Sequence, residues 1–298
     1  MTDTKPIVGF IGLGAMGAPM AAHLARNLQL HMVYNRTRDR AAAFVAEHHA
    51  VAVADDPAVL AAQCNVIVLC VSADEDVAIL IEHMLPALQP GSIIIDHSSI
   101  APATARTLAA KVSQHGSGML DAPVSGGVEG AHKGTLSIMV GGAAELLQQV
   151  TPLLQCYAAR ISHMGVSSNG QATKAVNQVL VAGIAEAVCE GLALAEHLEL
   201  PQTALLEVLR NGAAGCWFLD QRGASMLANN CERGFKLELL IKDLGILQQL
   251  AQSEGVVLSG VERALADYQQ CLQAGDGTQD ISALIRLKRR QMLRHQQQ

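Results

Sequence analysis

Two stretches of this sequence carry residues whose types and spacing suit chemistry. The first, "GFIGLGAMGAPMAAHL", sets Gly12, Gly14 and Gly17 in a G-x-G-x-x-G pattern after an apolar run and before an alanine-rich one. Read as strand, turn and helix, it lets Gly12 make the tight turn and Gly14 bring backbone N–H groups against a pyrophosphate. Gly17 then packs the helix close to the strand. Leu13, Ala15 and Met16 belong to the same turn, and the helix N-terminus that follows attracts an anion. The second stretch, "NGQATKAVNQVLVAGIAEAVCEG", holds one cation, Lys174, and no other Lys or Arg occurs between Ile161 and Leu209. A lysine in a partly dry cleft, near the positive end of a helix dipole, has its pKa lowered and can give and take a proton. Lys174, Asn177 and Gln178 stand at i, i+3 and i+4, so one helix face carries an amine and two amides. By spacing alone, Lys174 is equally well a surface lysine laid along its own stem.

The end of the second strand candidate bears on which dinucleotide would bind. A carboxylate there would accept from the adenosine ribose hydroxyl. The sequence reads "VYNRTRDR", so Asn35 and Thr37 are neutral, Arg36 and Arg38 are cationic, and Asp39 comes too late. Arginine stacks on adenine and pairs with a 2′-phosphate, which favours NADP, with NAD the alternative. A third stretch, "DAPVSGG", ends a strand and enters a glycine-bearing turn. The N–H groups of Gly126 and Gly127 and the Ser125 hydroxyl could hold a carboxylate there.

These residues need elements to position them. Apolar runs such as "PIVGFIG", "LHMVYN", "AVAVA", "VIVLCV", "SIIIDHS", "GMLDAPV", "LSIMVGG" and "RISHMG" alternate with helical stretches, among them residues 15–26 and 102–114. Strands apolar throughout and alternating with helices predict a parallel sheet covered on both faces. Strand signals stop near residue 165. Residues 170–199 contain no proline and predict one helix of roughly 45 Å, long enough to join two domains. Further helical stretches follow, punctuated by Pro201 and glycines. The reading is an α/β domain, 1–165, and an all-α domain, 166–298, joined by the long helix.

Composition narrows the function classes. Half of the 298 residues are hydrophobic and 16% are charged, so the chain can bury a core. Aromatics make up 3% and the net charge is −6, which argues against nucleic acid or a membrane surface as partner. The seven cysteines form no CxxC pair and no zinc spacing, so no metal is expected. Their odd number and the lack of a signal peptide suggest the cytoplasm. The basic tail "RLKRRQMLRHQQQ" reads as the solvated end of a last helix.

Five motifs in order, "GFIGLGAMGAPMA", "DHSSIAP", "DAPVSGG", "GQATKAVNQ" and "GFKLELLIKDL", make the chain resemble the β-hydroxyacid dehydrogenase family. The resemblance spans nearly the whole chain. It implies a Rossmann-type N-terminal domain, a long interdomain helix and an all-α C-terminal domain. It also implies a small carboxylate-bearing substrate, with Lys174 as the catalytic lysine and Ser125, Gly126 and Gly127 as the loop gripping the carboxylate. Asn177, Gln178, Phe235 and Asp243 are assigned to the substrate. Asn35, Arg36, Thr37, Val71, Ser72, Ser99 and Lys242 join the glycine turn on the cofactor. Ser99 stands where the family usually has Thr, and "VSADEDV" lacks the usual proline after the fourth strand. The "NQ" pair is similar to tartronate semialdehyde reductases. An imine reductase and a non-catalytic NADP-binding protein are the competing readings, and Lys174 counts against both. A homodimer or homotetramer is expected.

Overall fold

The computed structural model describes residues 6–232 and 234–294. The chain divides into two compact units, residues 1–174 and 175–298. The first unit holds a six-stranded sheet of β1 (Val8–Ile11), β2 (Leu30–Tyr34), β3 (Ala52–Val53), β4 (Val66–Leu69), β5 (Ile93–Asp96) and β6 (Gly118–Asp121). The strands run in the order β3-β2-β1-β4-β5-β6, and every pairing is parallel. This is the doubly wound Rossmann order. Its crossover reverses between β1 and β4, where such sheets bind ligands beyond the strands' carboxyl ends.

Helices α1 (Gly17–Arg26), α2 (Arg38–Glu47), α3 (Pro57–Gln63), α4 (Asp74–Met84) and α5 (Pro102–Gln114) connect the strands. Alternate strand residues enter opposite cores. Val8, Phe10, Val33, Val68 and Ile95 pack on one face, and Ile11, Met32, Ile67, Leu69 and Ile94 on the other. Each fully buried aliphatic side chain contributes roughly 1.5–3 kcal/mol, which is why these strands read as unbroken apolar runs. Helix starts are marked locally. Asp56 caps α3 by accepting from Ala58 N (2.7 Å) ahead of Pro57, and α5 also opens on proline.

The parallel sheet anticipated from the strand pattern ends at β6, and the later strands form a second, smaller sheet. Pro123 has no N–H to give a ladder, and the chain leaves the sheet there. It then forms β7 (Val124–Ser125), which pairs antiparallel with β8 (Leu136–Val140), itself parallel to β9 (Ala158–His163). Two helices, α6 (Gly127–Lys133) and α7 (Ala144–Leu154), complete this part.

Helix α8 (Asn169–His197) starts in the first unit and continues into the second. Among the described residues it is the one helix long and apolar enough to cross a membrane by length and composition; 39% of its apolar window is buried. The second unit adds α9 (Gln202–Asn211), α10 (Trp217–Leu227), α11 (Leu237–Glu254), α12 (Ser259–Gln273) and α13 (Leu284–Arg294) around Ala182, Cys189, Leu240, Leu244 and Tyr268. The basic tail is not a simple solvated end. Lys288 of α13 is 1% exposed and sits between Glu186 (2.5 Å) and Asp267 (2.6 Å), and Arg289 grips Glu196. His295–Gln298 lie outside the described residues.

Candidate active site

The glycine turn has the shape a dinucleotide needs. Gly12 has φ +98°, and a Cβ there would collide with the Cys70 carbonyl. A Cβ on Gly17 would collide with the Gly12 carbonyl, whereas one on Gly14 would meet open space. The turn is thus closed against the sheet at Gly12 and Gly17 and open at Gly14, which suits a pyrophosphate. Asn35 anchors it, its Oδ1 accepting from Leu13 N (2.8 Å) while its Nδ2 donates to Thr37 O (2.9 Å). Val71 N donates to Ser98 Oγ (3.0 Å), joining the ends of β4 and β5, where Ser72 and Ser99 also lie. Arg36 is largely exposed and pairs with Asp76 of α4 (2.9 Å); Arg38 pairs with Asp55 (2.8 Å).

Lys174 stands in the second turn of α8. Its Nζ donates to the Val124 carbonyl (3.0 Å), one residue before Ser125. Gly126 (φ +127°) and Gly127 (φ +62°) both lie at positive φ, and both are exposed. Successive N–H groups exposed in a turn can form a concavity that accepts an anion. The amine and the Ser125–Gly127 turn are therefore neighbours within the first unit.

The groups that fix this geometry were not singled out from the sequence. Asp121, at the end of β6, is 1% exposed and caps α8. Its Oδ1 accepts from Ser168 N (2.7 Å) and its Oδ2 from Gln171 N (3.0 Å). A Cβ on Gly170 would strike the Asp121 and Met139 carbonyls, so that glycine allows the helix to seat against the strands. Gln171 is buried and ties α8 to β5, donating to Ser98 O (2.7 Å) and accepting from Ile100 N (3.2 Å). Burial pushes the Asp121 carboxyl up, and the N–H groups of Ser168 and Gln171 oppose it.

Next to it, burial pushes the His97 imidazole down to about 4, so the ring is neutral near pH 7. The Ala122 carbonyl (2.6 Å) only accepts, which puts the proton on Nδ1. Nε2 then accepts from the Tyr157 hydroxyl (2.8 Å). This fixes the backbone two residues before Val124.

Burial raises the Asp96 carboxyl from 3.8 to about 7, and its Oδ2 has no hydrogen-bonding partner. Because the folded value lies above the unfolded one, this contribution to stability is present in full below 3.8 and lost as pH rises through about 7. Over that window wild type loses stability relative to Asp96→Asn, on the order of 1.4 kcal/mol per pH unit. Urea midpoints of the two proteins at about pH 5 and pH 8 measure this. Parallel changes would show that Asp96 stays ionised.

In the second unit Gln178, 3% exposed, donates to Asp243 Oδ2 (2.7 Å) and accepts from Asn177 Nδ2 (2.9 Å). Lys242 Nζ lies 3.1 Å from Asp243 Oδ1. Gln178 is thus turned inward, and Asn177 is the more accessible amide. Phe235 is partly buried on the helical core, its N–H held by Asp280 (2.8 Å). Among the described residues no His, Cys, Asp and Glu group is arranged to hold a metal.

Known proteins resemble this chain in sequence and fold. Residues 7–165 match the NAD binding domain of 6-phosphogluconate dehydrogenase, and residues 168–288 match the family described as NAD-binding of NADP-dependent 3-hydroxyisobutyrate dehydrogenase. An uncharacterised oxidoreductase of Shewanella frigidimarina is 35% identical over 282 residues, covering 93% of this chain and 96% of its own. An NAD-dependent L-serine dehydrogenase of Pseudomonas aeruginosa is 33% identical over 290 residues, covering 94% and 97%. The solved structure of Mycobacterium tuberculosis 3-hydroxyisobutyrate dehydrogenase with L-serine has a TM-score of 0.88 at 31% identity, covering 96% and 100%. Imine reductases, at 18–19% identity, share the fold alone. The chain belongs to the β-hydroxyacid dehydrogenase family. It is a dehydrogenase that uses a nicotinamide dinucleotide.

Proposed function

We propose that this enzyme interconverts a short 3-hydroxy acid and its semialdehyde, with NADP as the preferred cofactor and Lys174 as general acid and base. The observation that carries the reading is the Lys174 amine on the Val124 carbonyl, beside the Ser125–Gly127 turn. The relatives' substrates support it. L-Serine and 3-hydroxyisobutyrate are both 3-hydroxypropionates, differing only in the group on C2. Each presents a carboxylate for the turn and a CH₂OH for the amine. A 2-hydroxy acid would place its alcohol one carbon nearer the carboxylate.

The bound dinucleotide supplies or accepts the hydride. In reduction, Lys174 Nζ gives its proton to the oxygen that develops as the carbonyl is attacked, and in oxidation it takes that proton back. Ser125, Gly126 and Gly127 hold the carboxylate and so fix which carbon faces the reaction. We assign Asn177, Phe235 and Asp243 to the substrate and Lys242 to the cofactor. Buried Gln178 acts on the substrate only through Asn177 and Asp243. The cytoplasm is the proposed compartment; no disulfide joins the seven cysteines.

NADP is favoured because no carboxylate ends β2, while Arg36 and Arg38 stand there. Their exposed pairs with Asp76 and Asp55 are each worth about 0–1 kcal/mol, which a 2′-phosphate displaces. A panel of small semialdehydes, as acids and as methyl esters, with NADPH and with NADH, tests the reading. The acids should be reduced and the esters should lose most of their kcat/KM. Arg36→Ala should raise the KM for NADPH about tenfold or more and leave NADH within about twofold. Equal turnover of acid and ester removes the carboxylate role from the turn. A wild-type preference for NADH overturns the cofactor assignment.

A further inference from the structure

The acidic stretch "VSADEDV" has no part in the chemistry described so far. It opens α4, whose first turn carries Asp74, Glu75 and Asp76. Asp74 has a structural task, its Oδ2 accepting from Ala101 N (2.9 Å) at the start of α5. Asp76 instead meets Arg36, Oδ1 to Nη1 at 2.9 Å. These two residues come from connections that flank a single strand. Arg36 follows β2, Asp76 follows β4, and β1 lies between those strands in the sheet. The three strands run parallel, so their carboxyl ends share one edge. The ion pair therefore reaches over the end of β1 across two strand spacings, roughly 10 Å. That is the strand whose end carries the glycine turn. The Arg38–Asp55 pair differs, because it joins the connections after the adjacent strands β2 and β3 and leaves β1 uncovered.

We propose that Asp76 is a specificity-determining residue for the cofactor: it holds the Arg36 guanidinium over the end of β1 and competes for it with the 2′-phosphate of NADP. The inference rests on the NADP reading given above. The carboxylate is the fixed partner, 27% exposed on a helix, whereas the guanidinium is 83% exposed at the end of a long stem and is the group that changes partner. An exposed pair of this kind is weak, so a phosphate offering two oxygens to the guanidinium displaces the carboxylate. The competition still lowers NADP affinity in two ways. Arg36 has to give up Asp76, and the carboxylate left behind repels the phosphate. NADH presents ribose hydroxyls and no anion at that position, so Arg36 keeps Asp76 and the carboxylate has nothing there to repel. The pyrophosphate is common to both cofactors and cancels in the ratio of their affinities. Arg36 sets the direction of the preference, and Asp76 narrows it.

Dissociation constants of NADPH and NADH, read from the fluorescence of the bound dihydronicotinamide in the full chain without substrate, test this. Asp76→Asn keeps the shape and removes the charge. It should tighten NADPH about fivefold and leave NADH within about twofold. Asp74 and Glu75 remain to face the dipole of α4, so the helix should be unaffected. In an Arg36→Ala background the same change should tighten NADPH by less than about twofold, because the guanidinium under competition is gone. Equal tightening of both cofactors would mean that Asp76 only crowds the crevice, and overturns the proposal. An undiminished gain in the Arg36→Ala background, or no gain in either, overturns it as well. Arg36→Ala alone separates this failure from failure of the NADP reading. If it weakens NADPH while Asp76→Asn changes nothing, the NADP reading stands and Asp76 has no part in it. If it leaves NADPH unchanged, Arg36 does not meet the phosphate and both fall.

Discussion

Replacing Lys174 with alanine should lower kcat for carbonyl reduction by roughly 10²–10⁴-fold, the range lost with a general acid. Cofactor affinity should stay near the wild-type value, because the glycine turn at Gly12–Gly17 is closed by its own contacts with Cys70 and Asn35. Lys174→Arg separates two explanations. An arginine keeps the charge but, with a pKa above about 12, does not release a proton readily. If Nζ transfers the proton, Arg should remain within about tenfold of Ala. If Nζ only attracts the substrate, Arg should recover most of the activity. The Val124 carbonyl adds a condition, since the amine leaves that 3.0 Å bond to serve a substrate oxygen or keeps it while donating a second hydrogen. Lysine has three donors and can do the latter. Loss of cofactor binding in Lys174→Ala would mean that the side chain holds the fold together, and the proton-transfer role would fail.

The strands of the parallel sheet and the span of α8 were legible in the sequence because each is a long run of one kind. Four apolar residues in β4 and three isoleucines in β5 have no other reading beside helical neighbours, and α8 runs for 29 residues without proline. The glycine turn was legible because its spacing states a steric requirement, and the structure meets that requirement at Gly12 and Gly17. The break after β6 was not, because "GMLDAPV" keeps its apolar character while the chain changes sheets at Pro123. Nor was Asp121 recognised as a cap, since it lies 47 residues before Ser168 and no local spacing connects the two. Burial hides its charge from a composition argument. Gln178 shows the converse. Helical spacing placed it on the Lys174 face, yet its amide is held by buried Asp243, 65 residues further along the chain, and no local spacing connects the two.

Asp121→Ala should cost nearly as much activity as the loss of the lysine itself, without touching any reacting atom. Its carboxylate accepts the N–H groups of Ser168 and Gln171 at the start of α8, and both bonds are buried. Hydrogen bonds to a charged group contribute about 1.5–3 kcal/mol each, so Ala should loosen the first turn rather than unfold the chain. Lys174 lies one turn further on. A displacement of about 1 Å is enough to reduce turnover by about 10²-fold. Asp121 is thus a positioning residue, and the effect should fall on kcat while the KM for the cofactor stays within about twofold. Asp121→Asn keeps an acceptor for one of the two N–H groups and sets its own NH₂ against the other; it should lie between wild type and Ala. In Asp121→Ala/Lys174→Ala the losses should not add, because a displaced helix start can only cost what a well-placed lysine supplies. Strict additivity of the two single losses, or a KM for cofactor that rises with kcat unchanged, would show that Asp121 supports the fold generally and has no particular hold on Lys174.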